Sequence, residues 1–106
     1  MTAPLIVGWG HTAFGKLDAM DAEGLVKEAA EGALATAGLE ASDIDGVFVG
    51  HFNGGFLRQD FSGAVAAMAL PALRHVPSVR LENACATGSA AIWAALDALQ
   101  AGRVKR

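Results

Sequence analysis

Three short apolar runs, each followed by a stretch with helical spacing, restrict the fold of this chain more than any other feature. Leu5-Ile6-Val7-Gly8-Trp9 is continuously apolar, as a strand covered on both faces is. Val47-Phe48-Val49 is a second such run, and from about Ser78 to Glu82 a third alternates Val79 and Leu81 with Arg80 and Glu82. Between the first two runs, Leu25, Val26, Ala29, Ala30, Ala33, Leu34 and Ala37 recur at helical spacing, which predicts a helix over about 21–37. Asp18 or Asp21 can cap its start, and Gly38 is placed to end it in a left-handed turn. A second helix is expected from Asp60 to about Leu70, broken at Pro71. A third runs from Cys85 or Ala86 to Ala101, with Gly102 as its stop.

The order is therefore βαβαβα, an α/β fold with a mostly parallel sheet and right-handed crossovers. Half-polar strands belong at an edge, so the third strand is expected there, with the second beside it and the first beyond. That leaves the first strand with an unpaired side, where a doubly wound sheet adds a further strand. Arg103-Val104-Lys105 stands where such a strand would begin. The expectation is one partial domain over 1–106, truncated before a fourth strand.

Composition points the same way. With 106 residues, 53% hydrophobic and 18% charged, the chain has more apolar surface than a small domain hides well, which implies a larger fold or a large interface. A net charge of −3 argues against nucleic acid or an anionic membrane as main partner. Met1-Thr2-Ala3-Pro4 lacks the basic start of a secretory signal, and no run reaches membrane-spanning length. A single cysteine rules out a disulfide framework and suits a reducing compartment, so a cytoplasmic protein is expected.

That cysteine, Cys85, sits where the third strand hands over to the third helix, in Glu82-Asn83-Ala84-Cys85-Ala86-Thr87-Gly88-Ser89-Ala90-Ala91. A thiol there meets the unpaired N–H groups and positive dipole end of a helix, which favour thiolate, and its small neighbours leave room for an acyl group. The competing reading is a cysteine packed among alanines. Of the histidines, His51 follows the second strand at the same sheet end and is a candidate base, with a solvated loop residue as the alternative. His11 reads as part of a structural loop, and His75 belongs to the approach to the third strand; the three lack metal-ligand spacing. Gly8-Trp9-Gly10 fails as a dinucleotide fingerprint because the next glycine is Gly15 and no helix opens immediately. Asn53-Gly54-Gly55 is a turn signal, and Glu82 and Asp97 form no carboxylate pair.

The segment 82–91 resembles the nucleophile segment of thiolases, in particular the sterol-carrier-protein type and bacterial lipid-transfer relatives. Ile6-Val7-Gly8-Trp9-Gly10-His11-Thr12-Ala13-Phe14-Gly15-Lys16 is similar to the opening strand and loop of that branch. Ala37-Gly38-Leu39, through Ser42-Asp43-Ile44-Asp45-Gly46-Val47, is similar to its first helix exit and second strand. The resemblance implies the first half of a thiolase N-terminal domain in an acetyl-CoA acetyltransferase-like acyltransferase. Cys85 would form an acyl-S-cysteine intermediate for thiolytic cleavage or Claisen condensation, its backbone N–H helping to hold the oxyanion. It further implies an acyl-CoA substrate rather than a bound cofactor, a homo-oligomer with the third strand at a dimer contact, and the remaining thiolase segments or a partner subunit. The activating histidine, the second oxyanion group and the acid/base cysteine would come from those segments. A non-catalytic subunit and a thiolase-fold retro-aldolase are the alternatives of the same resemblance.

Overall fold

The computed structural model describes residues 3–52 and 60–106. The first helix, α1 (Ala22–Ala37), starts at Asp21, whose Oδ1 accepts the Gly24 N–H at 2.8 Å. Asp21, not Asp18, is thus the cap. Gly38 ends the helix at φ 68°, and its N–H and that of Leu39 satisfy the carbonyls of Ala35 and Leu34. A 3₁₀ turn (Ala41–Asp43) leads into strand β1 (Val47–Gly50).

The expected second helix is shorter than its spacing suggested. Phe61 sits at φ 54°, a left-handed conformation that no α-helix accommodates, so helical structure starts after it. A 3₁₀ turn (Ser62–Ala64) precedes α2 (Val65–Ala69), and Pro71 opens another (Pro71–Leu73). Strand β2 (Ser78–Leu81) runs parallel to β1 in the register Val47 to Ser78 and Gly50 to Leu81. A last 3₁₀ turn (Ala84–Ala86) feeds α3 (Thr87–Gln100), which stops at Ala101 and Gly102, the latter at φ 72°.

The second and third expected strands are therefore present, adjacent and parallel. The first is not: among the described residues the sheet has two strands, and Leu5–Trp9 joins no ladder. The reason is a competing partner. Trp9 donates its N–H to Thr36 Oγ1 at 3.0 Å, and its carbonyl accepts from the same hydroxyl at 2.9 Å. Gly8 and Gly10 press this segment against the backbone of α1, at Ala37 and Ala33 and at Ala29. Both main-chain groups of Trp9 and the two glycines are committed to the helix.

The core is centred on α2. Val65, Ala66, Ala69 and Leu73 are buried, with α1 packed on α2 and α3 packed on the two strands. In α3 only Thr87 is buried; Trp93 is exposed and Leu96 is half-buried. No helix among the described residues is long and apolar enough to cross a membrane. The turn signal Asn53-Gly54-Gly55 lies outside the described residues.

Candidate functional site

Parallel pairing brings the carboxyl ends of β1 and β2 to one place. His51 N–H continues the ladder to the Leu81 carbonyl at 3.2 Å, and Arg80 Nε donates to the His51 carbonyl at 2.8 Å. Ligands in open α/β sheets bind beyond this end of the strands. Gly50 has the space requirement of a close approach: a Cβ there would meet Thr87 Cγ2 and the Thr87 carbonyl at 3.0 Å. The end of β1 therefore lies directly against the start of α3.

Beyond β2 the backbone turns sharply. Asn83 adopts φ −155° and ψ 52°, and Ala84 lies at φ 45°. A left-handed alanine costs on the order of 1–2 kcal/mol, so neighbouring interactions must hold it. They are visible. The Glu82 carboxylate accepts the Ala84 N–H, and the Ala86 N–H reaches the Asn83 carbonyl at 2.8 Å. The Thr87 hydroxyl accepts the Asn83 N–H at 2.9 Å and donates to the Ala84 carbonyl at 2.7 Å. Cys85 occupies the middle of this turn as a free, exposed cysteine, immediately before α3.

The structure thus puts Cys85 at the strand-to-helix junction and His51 at the same sheet end. His75 precedes β2 and belongs to the opposite end. His11 stacks edge-on with Phe14, ring centroids 4.7 Å apart, in the segment before α1. No cluster of metal-ligating side chains occurs among the described residues. Thr87 escaped the sequence reading. Its signal was a cap-type residue two positions beyond the cysteine, at the start of a helix otherwise built of small apolar residues. A free thiol on a tight turn, with its flanking peptides fixed, suits nucleophilic attack on a carbonyl.

Comparison with known proteins identifies a family and a shared fold. Residues 5–105 match the family model described as "Thiolase, N-terminal domain". An acetyl-CoA acetyltransferase of Methanothermobacter thermautotrophicus is 34% identical over 99 residues, 92% of this chain and 25% of that protein. One from Methanocaldococcus jannaschii is 38% identical over 88 residues, 82% of this chain and 22% of that protein. The chain spans about a quarter of the length of these relatives. The crystal structure of 3-oxoacyl-[acyl-carrier-protein] synthase III from Aquifex aeolicus superposes with a TM-score of 0.66 over 81% of this chain and 27% of that one. At 19% identity this likeness establishes shared fold.

Proposed function

Because the chain belongs to the thiolase N-terminal domain family, we propose that it carries the nucleophile of an acetyl-CoA acetyltransferase-like enzyme, with Cys85 as the acyl acceptor. The observation that carries this reading is the exposed, sole cysteine on the tight turn between β2 and α3, inside the matched segment. The Cys85 thiolate attacks the thioester carbonyl and the oxygen takes the negative charge, with the Cys85 N–H as one donor to it. Collapse breaks the bond to coenzyme A, which leaves as a thiolate and takes up a proton. The acyl-S-cysteine then passes its acyl group to a second nucleophile: coenzyme A in thiolysis, or a carbanion in condensation. Remaining thiolase segments or a partner subunit supply the base and most coenzyme A contacts, and exposed Ile92 and Trp93 on α3 offer them an apolar face.

The test is acylation of the protein, as its own coding sequence expresses it, with acetyl-CoA followed by peptide mass spectrometry. An acetyl group on the peptide containing Cys85, absent in Cys85→Ala, is the expected result. Acetylation elsewhere, or none in the wild type, would overturn the assignment.

A further inference from the structure

We propose that Thr87 is a positioning residue that fixes the Ala84–Cys85 peptide unit and thereby aims the Cys85 N–H at the oxyanion. The inference rests on Cys85 being the acyl acceptor. It starts from the planarity of the peptide: the carbonyl of Ala84 and the N–H of Cys85 belong to one rigid trans unit and point in opposite directions. Whatever anchors that carbonyl therefore sets the direction of that N–H. Thr87 anchors it twice, through its own N–H and through Oγ1 at 2.7 Å.

The same hydroxyl accepts the Asn83 N–H at 2.9 Å, so one oxygen grips the backbone on both sides of the left-handed Ala84. Thr87 is 6% exposed, the most buried residue of α3, and its methyl and carbonyl lie against Gly50 at the end of β1. If the side chain swung to solvent, the Asn83 N–H would lose its hydroxyl partner and the Ala84 carbonyl would keep only the Thr87 N–H. Glu82 holds the third contact of the turn, at the Ala84 N–H. Of the two side chains, only Thr87 touches the peptide that carries the proposed oxyanion donor.

The chemical consequence is selective. An oxyanion donor acts on the transition state and hardly on substrate binding, so misaiming it lowers kcat and leaves KM almost unchanged. Alkylation of the thiol by iodoacetamide develops no oxyanion, so it does not depend on that donor.

The experiment compares wild type, Thr87→Val, Thr87→Ser and Cys85→Ala in the complete expressed protein, following Cys85 acylation by acetyl-CoA and its alkylation by iodoacetamide. Thr87→Val keeps the shape and removes the hydroxyl; it should slow acylation about 10-fold or more, with the acetyl-CoA concentration for half-maximal rate and the alkylation rate within about twofold of wild type. Thr87→Ser should restore most of the acylation rate. Acylation of Thr87→Val at the wild-type rate would overturn the positioning role alone, as would parallel losses in acylation and alkylation. Absence of acylation in the wild type would overturn the assignment of Cys85 and, with it, this inference.

Discussion

Asp45 shows how one side chain can tie together distant parts of this chain. Its carboxylate accepts the N–H groups of Lys105, at 2.9 and 3.0 Å, and of Arg106, at 2.9 Å, while its own N–H donates to the Arg106 carbonyl. The Arg106 amide is the main cause that holds its pKa below the ordinary 3.8; slight burial opposes this and the Lys105 amide reinforces it. A depressed carboxyl pKa stabilises the fold above pH 3.8, and that contribution is lost as pH falls through the lower folded value. Amide protection factors at Lys105 and Arg106, taken relative to the unstructured rate at each pH, should thus stay high at neutral pH and fall only below pH 3.8. Asp45→Asn should lower protection of both amides at neutral pH and cost about 1 kcal/mol, less than a buried charged hydrogen bond because the site is exposed. Unchanged protection in the variant would show that the clasp does not depend on charge. Nothing in the local pattern around Ser42-Asp43-Ile44-Asp45-Gly46 announced this partner some sixty residues away; only its turn character was legible. Cys85 stood out because it is unique and lies at a junction of two patterns, whereas Thr87 is one of several small polar residues until its hydrogen bonds are seen.

At the level of elements, what read well was whatever local physics decides. Capping by Asp21, termination at Gly38 and the apolar spacing of α1 are settled within a few residues, and α1 falls within one residue of its expected bounds. The run Leu5–Trp9 shows the opposite case. An apolar run tells that a segment seeks cover, but the choice between a strand and the side of a helix depends on which partner is in reach. Here Thr36 and the narrow contact of Gly8 and Gly10 with α1 decide it. This makes a prediction for the element as a whole. A Cβ on Gly8 would meet the Ala37 Cβ at 2.7 Å and the Ala37 nitrogen at 2.9 Å, closer than atoms of a rigid helix tolerate. Gly8→Ala should therefore push the segment off α1, lowering stability by about 1–3 kcal/mol and speeding amide exchange at Trp9. Retained protection at Trp9 would mean that Thr36 alone holds the segment. The shortened α2 follows from the left-handed Phe61, a backbone conformation that the spacing of apolar residues does not reveal.

For the whole molecule, the distribution of apolar surface matters most. The buried hydrophobic core among the described residues is Val65, Ala66, Ala69 and Leu73, while Leu5, Ile6, Trp9 and Trp93 are each at least 70% exposed. A chain that is 53% hydrophobic yet buries so little presents surface of the kind that other protein covers. Of these four, Leu5, Ile6 and Trp9 belong to the N-terminal segment beside α1, and Trp93 lies on α3 about two turns beyond the candidate nucleophile. Folding energetics and association are therefore separable by mutation. Ile6 is 85% exposed and Trp93 is 70% exposed, so neither contributes much to the internal packing. Exchanging both, Ile6→Ser with Trp93→Ser, should leave the stability of this chain within about 0.5 kcal/mol per site, as at other exposed positions. The double variant should bind less 8-anilinonaphthalene-1-sulfonate and sediment as a smaller species than the wild type at equal concentration. Should it instead lose cooperative unfolding, these side chains would belong to the core, and the exposed faces would not be association surfaces. A variant that keeps its stability and loses association, together with acetylation of Cys85, would separate the two parts of the functional reading: chemistry in the turn after β2, and assembly on the faces the fold leaves open.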